Sequence, residues 1–217
     1  MRDEKKAFAN PCAAFDFDGT LVDSNGAAIR LLERFFADHG RTMSAEFLEA
    51  AKTMNMVQTS KALKAETGAS ESPEEIAAWI EAKARADYDT AAEKPGACAY
   101  VRRLYGRGVR LCVVSATDEE VIRPVLRRLG IEDCFRFILT VSEVGGAGKD
   151  KPDIFLEAAR RLGVPCGDVT LYDDALEALR SAQRAGLRTV CVYDEAGAAT
   201  AQEARVLCDG YLERYEW

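Results

Sequence analysis

Cys12-Ala13-Ala14-Phe15-Asp16-Phe17-Asp18-Gly19-Thr20-Leu21-Val22-Asp23-Ser24 is the stretch on which the reading of the whole chain turns. It opens as a short apolar run, the mark of a buried strand, and then reaches Asp-Gly, a turn signal. Two carboxylates, Asp16 and Asp18, stand at the junction. Alternation along a strand predicts that they share a face, about 7 Å apart, at its carboxyl end. Asp18 is of a type that turns commonly use. Asp16 needs another explanation, because an ionised carboxylate between Phe15 and Phe17 in a buried strand is costly unless a divalent cation or a lysine compensates it.

Beyond this stretch the chain alternates between helical and extended patterns. Ile29, Leu32 and Phe36 repeat at helical spacing over residues 25–38, and His39-Gly40 closes that helix. Ser44 opens a shorter helical stretch, and residues 53–58 are mixed. Ser72-Pro73-Glu74-Glu75 is a helix start, with Ser as N-cap, Pro first and Glu third. After Pro95-Gly96 come a helix over 97–105 and a β-branched run at 109–115, read as a second buried strand. Thr117-Asp118-Glu119-Glu120 reads as a capping box opening a helix that runs to Leu129-Gly130. Further strands are predicted at 135–141, 169–172 and 187–193, with a short edge strand near Tyr211 and Leu212. Helices over 153–162 and up to Gly186 fall between them.

This rhythm predicts an α/β fold with a mainly parallel sheet. A parallel crossover needs only about a dozen residues, which the helix after Pro95 already supplies. Residues 22–94 are surplus to it and helical in pattern. They are expected to form a small inserted domain, leaving 1–21 and 95–217 as the core.

The 217 residues, 48% of them hydrophobic, suffice for one large domain or one domain with a small companion. A formal charge of −7 and no Lys/Arg-rich run argue against a nucleic-acid groove or an anionic membrane surface as partner. Residues 1–6 are charged and lead into no long apolar segment, so neither a signal peptide nor a spanning helix is expected. Seven Cys without a Cys-x-x-Cys pair read as reduced, buried thiols of a cytoplasmic protein. A single His, His39, removes His-rich zinc sites and argues against a Ser-His-Asp triad. Gly145-Gly146-Ala147-Gly148-Lys149 is a flexible loop but not a phosphate-binding P-loop: its first Gly is misplaced, and Asp150 stands where Ser or Thr is required. Nothing in the sequence sets the oligomeric state.

In open α/β sheets, ligands bind at the carboxyl ends of the strands. The polar residues expected there are Asp16 and Asp18, then Ser115 with Thr117 just past it, then Lys149 and Lys151, then Asp173 and Asp174. The set is acidic apart from the lysines, which suits one Mg²⁺ with oxygen ligands and one phosphoryl group.

Asp16-Phe17-Asp18-Gly19-Thr20 after a hydrophobic strand closely resembles motif I of the haloacid dehalogenase superfamily. The Leu-Val-Asp-Ser continuation is typical of members with a helical cap. Val113-Val114-Ser115 resembles motif II, Lys149 ahead of Pro152-Asp153-Ile154-Phe155 resembles motif III, and Leu171-Tyr172-Asp173-Asp174 resembles motif IV, in the family's order. The resemblance covers nearly all of the chain and points to the subgroup of phosphoglycolate phosphatase and β-phosphoglucomutase. It implies a Rossmann-like core with helices on both faces, residues 22–94 as a helical cap, and an aspartate-based phosphatase acting on a small phosphorylated metabolite.

The roles that the resemblance implies are specific. Asp16 attacks phosphorus, Asp18 serves as general acid and base, and Ser115, the amide of Ala116 and Lys149 hold the phosphate. Mg²⁺ lies on Asp16, the backbone carbonyl of Asp18 and Asp174, with Asp173 supporting it through water. Family spacing puts the motif lysine at Lys149, whereas Lys151 directly precedes Pro152 and is biased to an extended backbone. A second acid at Asp18 favours phosphate esters, since a halide needs no proton. A phosphosugar mutase shares every core motif, but the Ser-Arg pair typical of helical-cap mutases is absent from 22–94. A non-catalytic binding protein on the same scaffold is the third reading. Cys208 and Arg214 formally match the Cys-x5-Arg of a cysteine phosphatase but lack its glycine-rich loop. Within 22–94, Gln58, Lys61 and Tyr88 are candidate substrate contacts by polarity alone.

Overall fold

The computed structural model describes residues 10–51, 54, 56–145 and 148–216. The charged residues 1–6, part of the mixed stretch 53–58, and Gly146 and Ala147 of the loop before Lys149 lie outside the described residues. The strands are β1 (Cys12–Phe15), β2 (Arg110–Ser115), β3 (Phe135–Thr140), β4 (Val169–Asp173), β5 (Arg188–Val192) and β6 (Gly210–Leu212). The helices are α1 (Asn25–Asp38), α2 (Ala45–Ala51), α3 (Met56–Thr67), α4 (Pro73–Thr90), α5 (Ala97–Gly106), α6 (Glu119–Arg128), α7 (Asp153–Leu162), α8 (Leu176–Arg184) and α9 (Ala201–Leu207). Among the described residues no helix is long and apolar enough to cross a membrane.

The chain forms two compact units, Met1–Asp23 with Ala91–Trp217, and Ser24–Thr90. In the first, all six strands form one sheet in the order β3-β2-β1-β4-β5-β6, and every neighbouring pair is parallel. β1 is central because its four residues are all buried, as a strand covered on both faces must be. Cys12 and Ala14 look into a core shared with Cys112, Val114, Leu171 and residues of α7, α8 and α9. Phe15 faces the other way, stacked on Tyr172 at 4.5 Å and edge-on to Tyr100 of α5 at 6.4 Å. Helices therefore cover both faces, and the strand order reverses between β1 and β4, where such sheets open a crevice.

Three local expectations need correction. β1 ends at Phe15, so Asp16 and Asp18 are not alternate residues of one strand. Gly19, at φ +69°, turns the chain at once, and the amides of Leu21 and Val22 both donate to the Phe17 carbonyl. β3 stops at Thr140 rather than 141, because the Glu143 carboxylate accepts from the Thr140 amide at 3.0 Å and starts a 3₁₀ turn. The capping box predicted from Thr117 does not form: α6 has Asp118 at its N-cap and no side-chain cap bond.

The Ser24–Thr90 unit is all helical and has a core of its own, including Leu31, Phe35, Phe36, Phe47, Leu63 and Ile76. Its predicted helix start is built as read. The Ser72 amide donates to Glu75 Oε2 at 2.7 Å, and the Glu75 amide donates to Ser72 Oγ at 3.2 Å. All seven Cys are free thiols, and every one except the half-buried Cys166 is buried.

Candidate active site

Polar residues from three separated segments meet beyond the carboxyl ends of β1 and β4. Asp16 follows β1 directly, and its amide donates to the Tyr172 carbonyl at 2.9 Å, extending the ladder by one residue. Asp173 ends β4, and Asp174 comes next. One carboxylate oxygen from each of Asp16, Asp173 and Asp174 lies within 4.8 Å of the others. Lys149 reaches in from the loop before α7 and donates to Asp16 Oδ1 and Asp173 Oδ2, both at 2.7 Å. Asp173 is fully buried, and its other oxygen accepts from the Ala175 amide at 2.9 Å. The N-cap of α8 is Ala175, and that helix takes no side-chain cap bond there. Lys151, by contrast, is exposed.

Three carboxylates facing one ammonium leave a formal surplus of two negative charges in a buried place. Burial pushes the Asp16 carboxyl well up, Lys149 pulls it back, and Asp173 and Asp174 push it further. Asp174 is pushed up to about 7, by burial and then by the charge of Asp173. Burial alone would lower Lys149, but Asp16 and Asp173 outweigh it and hold the ammonium charged. Hard oxygen donors carrying an excess of two charges match a divalent cation such as Mg²⁺.

The remaining candidates follow the ends of other segments. Ser115 ends β2, buried, and its Oγ accepts from the Thr117 amide at 3.1 Å. Ala116 follows on the exposed turn. Asp18 lies outside the carboxylate trio, and its Oδ2 accepts from the Thr117 hydroxyl at 2.5 Å. The metal role read for Asp18 rests on its backbone carbonyl and not on this side chain. Cys208 is buried at the end of α9, and burial pushes its thiol up to about 11, away from the thiolate that a cysteine phosphatase requires.

Two contacts were missed in the sequence. Thr20 was read only as part of a motif, yet its buried hydroxyl donates to Asp174 Oδ1 at 3.2 Å and steadies the trio. Lys94 and Asp194 form an ion pair at 2.8 Å, with side chains 13% and 4% exposed. Asp194 would otherwise be an uncompensated buried charge, and its field already helps to raise Asp174. Position at strand ends could have pointed to Asp194, which directly follows the predicted strand 187–193.

The model of the haloacid dehalogenase-like hydrolases matches residues 11–192. The chain is 25% identical over 179 residues to YhcW of Bacillus subtilis (strain 168), covering 82% of this chain and 81% of that one. It is 27% identical over 202 residues to validoxylamine A 7'-phosphate phosphatase of Streptomyces hygroscopicus subsp. limoneus, covering 93% and 94%. In fold it is similar to a haloacid dehalogenase family hydrolase from Deinococcus radiodurans R1 crystallised with phosphate and sodium. The TM-score is 0.76 at 21% identity, over 94% of this chain and 90% of that one.

Proposed function

This chain belongs to the haloacid dehalogenase-like hydrolases, and on that premise we propose that it is a Mg²⁺-dependent phosphatase hydrolysing a small phosphorylated metabolite through an aspartyl-phosphate on Asp16. The observation that carries the reading is the convergence of Asp16, Asp173, Asp174 and Lys149 from three segments of the chain. Such a charge set is hard to explain structurally, because a buried polar cluster of this cost is kept where it does chemistry. The relatives support the reaction class: one named for its action on validoxylamine A 7'-phosphate matches almost end to end.

Asp16 attacks phosphorus and forms the acyl phosphate. Ser115, the Ala116 amide and Lys149 hold the phosphate oxygens and offset their charge. Lys149 thereby exchanges its contact with Asp16 for one with the phosphate. Mg²⁺ on Asp16, the Asp18 carbonyl and Asp174, with Asp173 behind, would neutralise nucleophile and phosphate so that they can approach. Asp18 gives a proton to the leaving oxygen and later takes one from the attacking water. The Ser24–Thr90 unit is assigned the role of a cap that sets specificity. Free buried thiols fit a reducing, cytoplasmic setting.

The test is release of phosphate from p-nitrophenyl phosphate, with Mg²⁺ and after chelation, together with acid trapping of labelled phosphoenzyme. Metal-dependent turnover with trapped phosphoenzyme is expected. Metal-dependent turnover with no phosphoenzyme under single-turnover conditions would overturn the aspartyl-phosphate route. Stoichiometric isomerisation of a sugar phosphate without phosphate release would favour the mutase.

A further inference from the structure

We propose that Thr117 is a positioning residue for the reaction, fixing the rotation of the Asp18 carboxylate and bracing Ser115 at the same time. The inference rests on the phosphatase reading given above. Its first ground is that the Thr117 side chain has no local employment. It follows β2 directly before Asp118, the N-cap of α6, and that helix takes no side-chain cap bond. The hydroxyl instead donates at 2.5 Å to Asp18, 99 residues away in the chain.

The second ground is the closeness of the bond. The Thr117 hydroxyl meets Asp18 Oδ2 at 2.5 Å and so fixes the rotation of that carboxyl group. As the ester P–O bond breaks and the Asp16 O–P bond forms, Asp18 gives its proton to the departing alkoxide. In the second half, Asp18 takes a proton from water as the water oxygen bonds to phosphorus and the Asp16 O–P bond breaks. The cycle restores a protonated Asp18 and an ionised Asp16, with no atom or electron unaccounted for.

The third ground is the other end of the residue. The Thr117 amide donates to Ser115 Oγ at 3.1 Å. The serine hydroxyl is thus an acceptor on one side and keeps its own hydrogen for a phosphate oxygen. Because this second bond is made by backbone, a change of the Thr117 side chain leaves it in place. Acid positioning and phosphate seating can therefore be separated experimentally.

The experiment compares the full-length wild type with Thr117→Val, which keeps the shape and removes the donor, and Thr117→Ser, which keeps the donor. Phosphorylation of Asp16 is followed by quenched flow with p-nitrophenyl phosphate, whose leaving group needs no proton, and with 2-glycerol phosphate, whose alkoxide does. General acid help is worth about 10²–10⁴-fold when intact, so losing its alignment should cost Thr117→Val about tenfold more on the alkyl than on the aryl ester. The loss should fall on kcat with KM for 2-glycerol phosphate nearly unmoved, and Thr117→Ser should recover most of it. Equal losses on both esters, a loss confined to KM, or no recovery by Ser would overturn the proposal. If Thr117→Val is too unstable to assay, the ester ratio in Thr117→Ala against Thr117→Ser decides. Failure of the underlying reading looks different, since wild type itself would then form no phosphoenzyme.

Discussion

The two units bury polar groups in opposite ways. In the sheet unit the buried polar residues include three carboxylates, Asp16, Asp173 and Asp194. Asp16 and Asp173 take an ammonium from Lys149, and Asp194 takes one from Lys94, a residue distant in the chain in each case. In the Ser24–Thr90 unit the buried polar residues among those described are Ser24, Ser60 and Thr67, hydroxyls without charge. Ser60 donates to the Met56 carbonyl at 2.9 Å and Thr67 to the Leu63 carbonyl at 2.7 Å, each four residues back in its own helix. A hydroxyl returned to its own helix costs little and does little. A charge held across the fold is expensive, and removing one partner leaves the other uncompensated. On the proposed reading the reacting groups belong to the sheet unit, and the helical unit is assigned shape and selection.

The contrast is broken most directly at the charges. Asp16→Asn removes the nucleophile and should abolish trapped phosphoenzyme. Asp18→Asn keeps the backbone carbonyl and should slow turnover by about 10²–10⁴-fold. Its aspartyl-phosphate, formed from p-nitrophenyl phosphate, should then hydrolyse slowly and accumulate in quenched-flow traces. Phosphoenzyme in Asp16→Asn would defeat the scheme. Lys149→Ala removes the cation that faces Asp16 and Asp173, and should cost kcat about 10²–10³-fold, the scale for a lost donor in a dry site. Lys151→Ala, on an exposed residue, should stay near wild type in the same assay. The reverse ranking of the two lysines would transfer the role.

A second break tests the charge surplus by pH. With Asp174 raised to about 7, the folded ion-free chain binds more protons than the unfolded chain between about pH 4 and 7. Its stability contribution therefore declines as pH rises through that window. A divalent cation needs the ionised carboxylates, so its stabilisation should grow over the same range. Thermal melts with and without Mg²⁺ should show a larger Mg²⁺-induced rise in Tm at pH 8 than at pH 6. A rise that is larger at pH 6 would mean that the cation sits elsewhere.

Legibility in the sequence followed the same division. The parallel sheet was readable because buried strands such as residues 110–115 carry continuous apolar runs. The end of β1 was not, because alternation says nothing about where a strand stops, and Gly19 turned the chain sooner than the run suggested. Asp16 stood out by residue type in an unsuitable setting, whereas Lys149, in a glycine-rich loop, was placed by family spacing. Thr117 was misread because its spacing to Glu120 satisfies a local rule, while the bond it makes is to a residue brought near only by the fold. Thr20 was hidden for the same reason. In residues 24–90 the helix starts after Ser44 and Ser72 were legible, since capping is local chemistry, but the start of α3 at Met56 fell in a stretch read only as mixed. Substrate contacts were not, since a polar residue on a solvated helix looks the same whether or not it meets a ligand.

The smallest effect sharpens the contrast from the helical side. Ser72 and Glu75 satisfy each other's amides at the start of α4, bonds confined to one turn. Losing such a cap typically costs about 1 kcal/mol of stability. In a chain of this size that corresponds to a fall in Tm of about 2–4 °C. Ser72→Ala and Glu75→Ala each remove one of the two bonds, and each frees an amide that water can reach because the turn is not deeply buried. The double variant should therefore lose less than the sum of the single losses, since a box already half open has less to give. Calorimetric melts of the four proteins measure that coupling. Turnover of p-nitrophenyl phosphate at 25 °C should remain within about twofold throughout, because a defect of 1 kcal/mol leaves nearly all the chain folded when total stability is 5–15 kcal/mol. A loss of activity well beyond the loss of folded protein would show that the α4 start takes part in catalysis, and the division between a reacting unit and a shaping unit would fall with it.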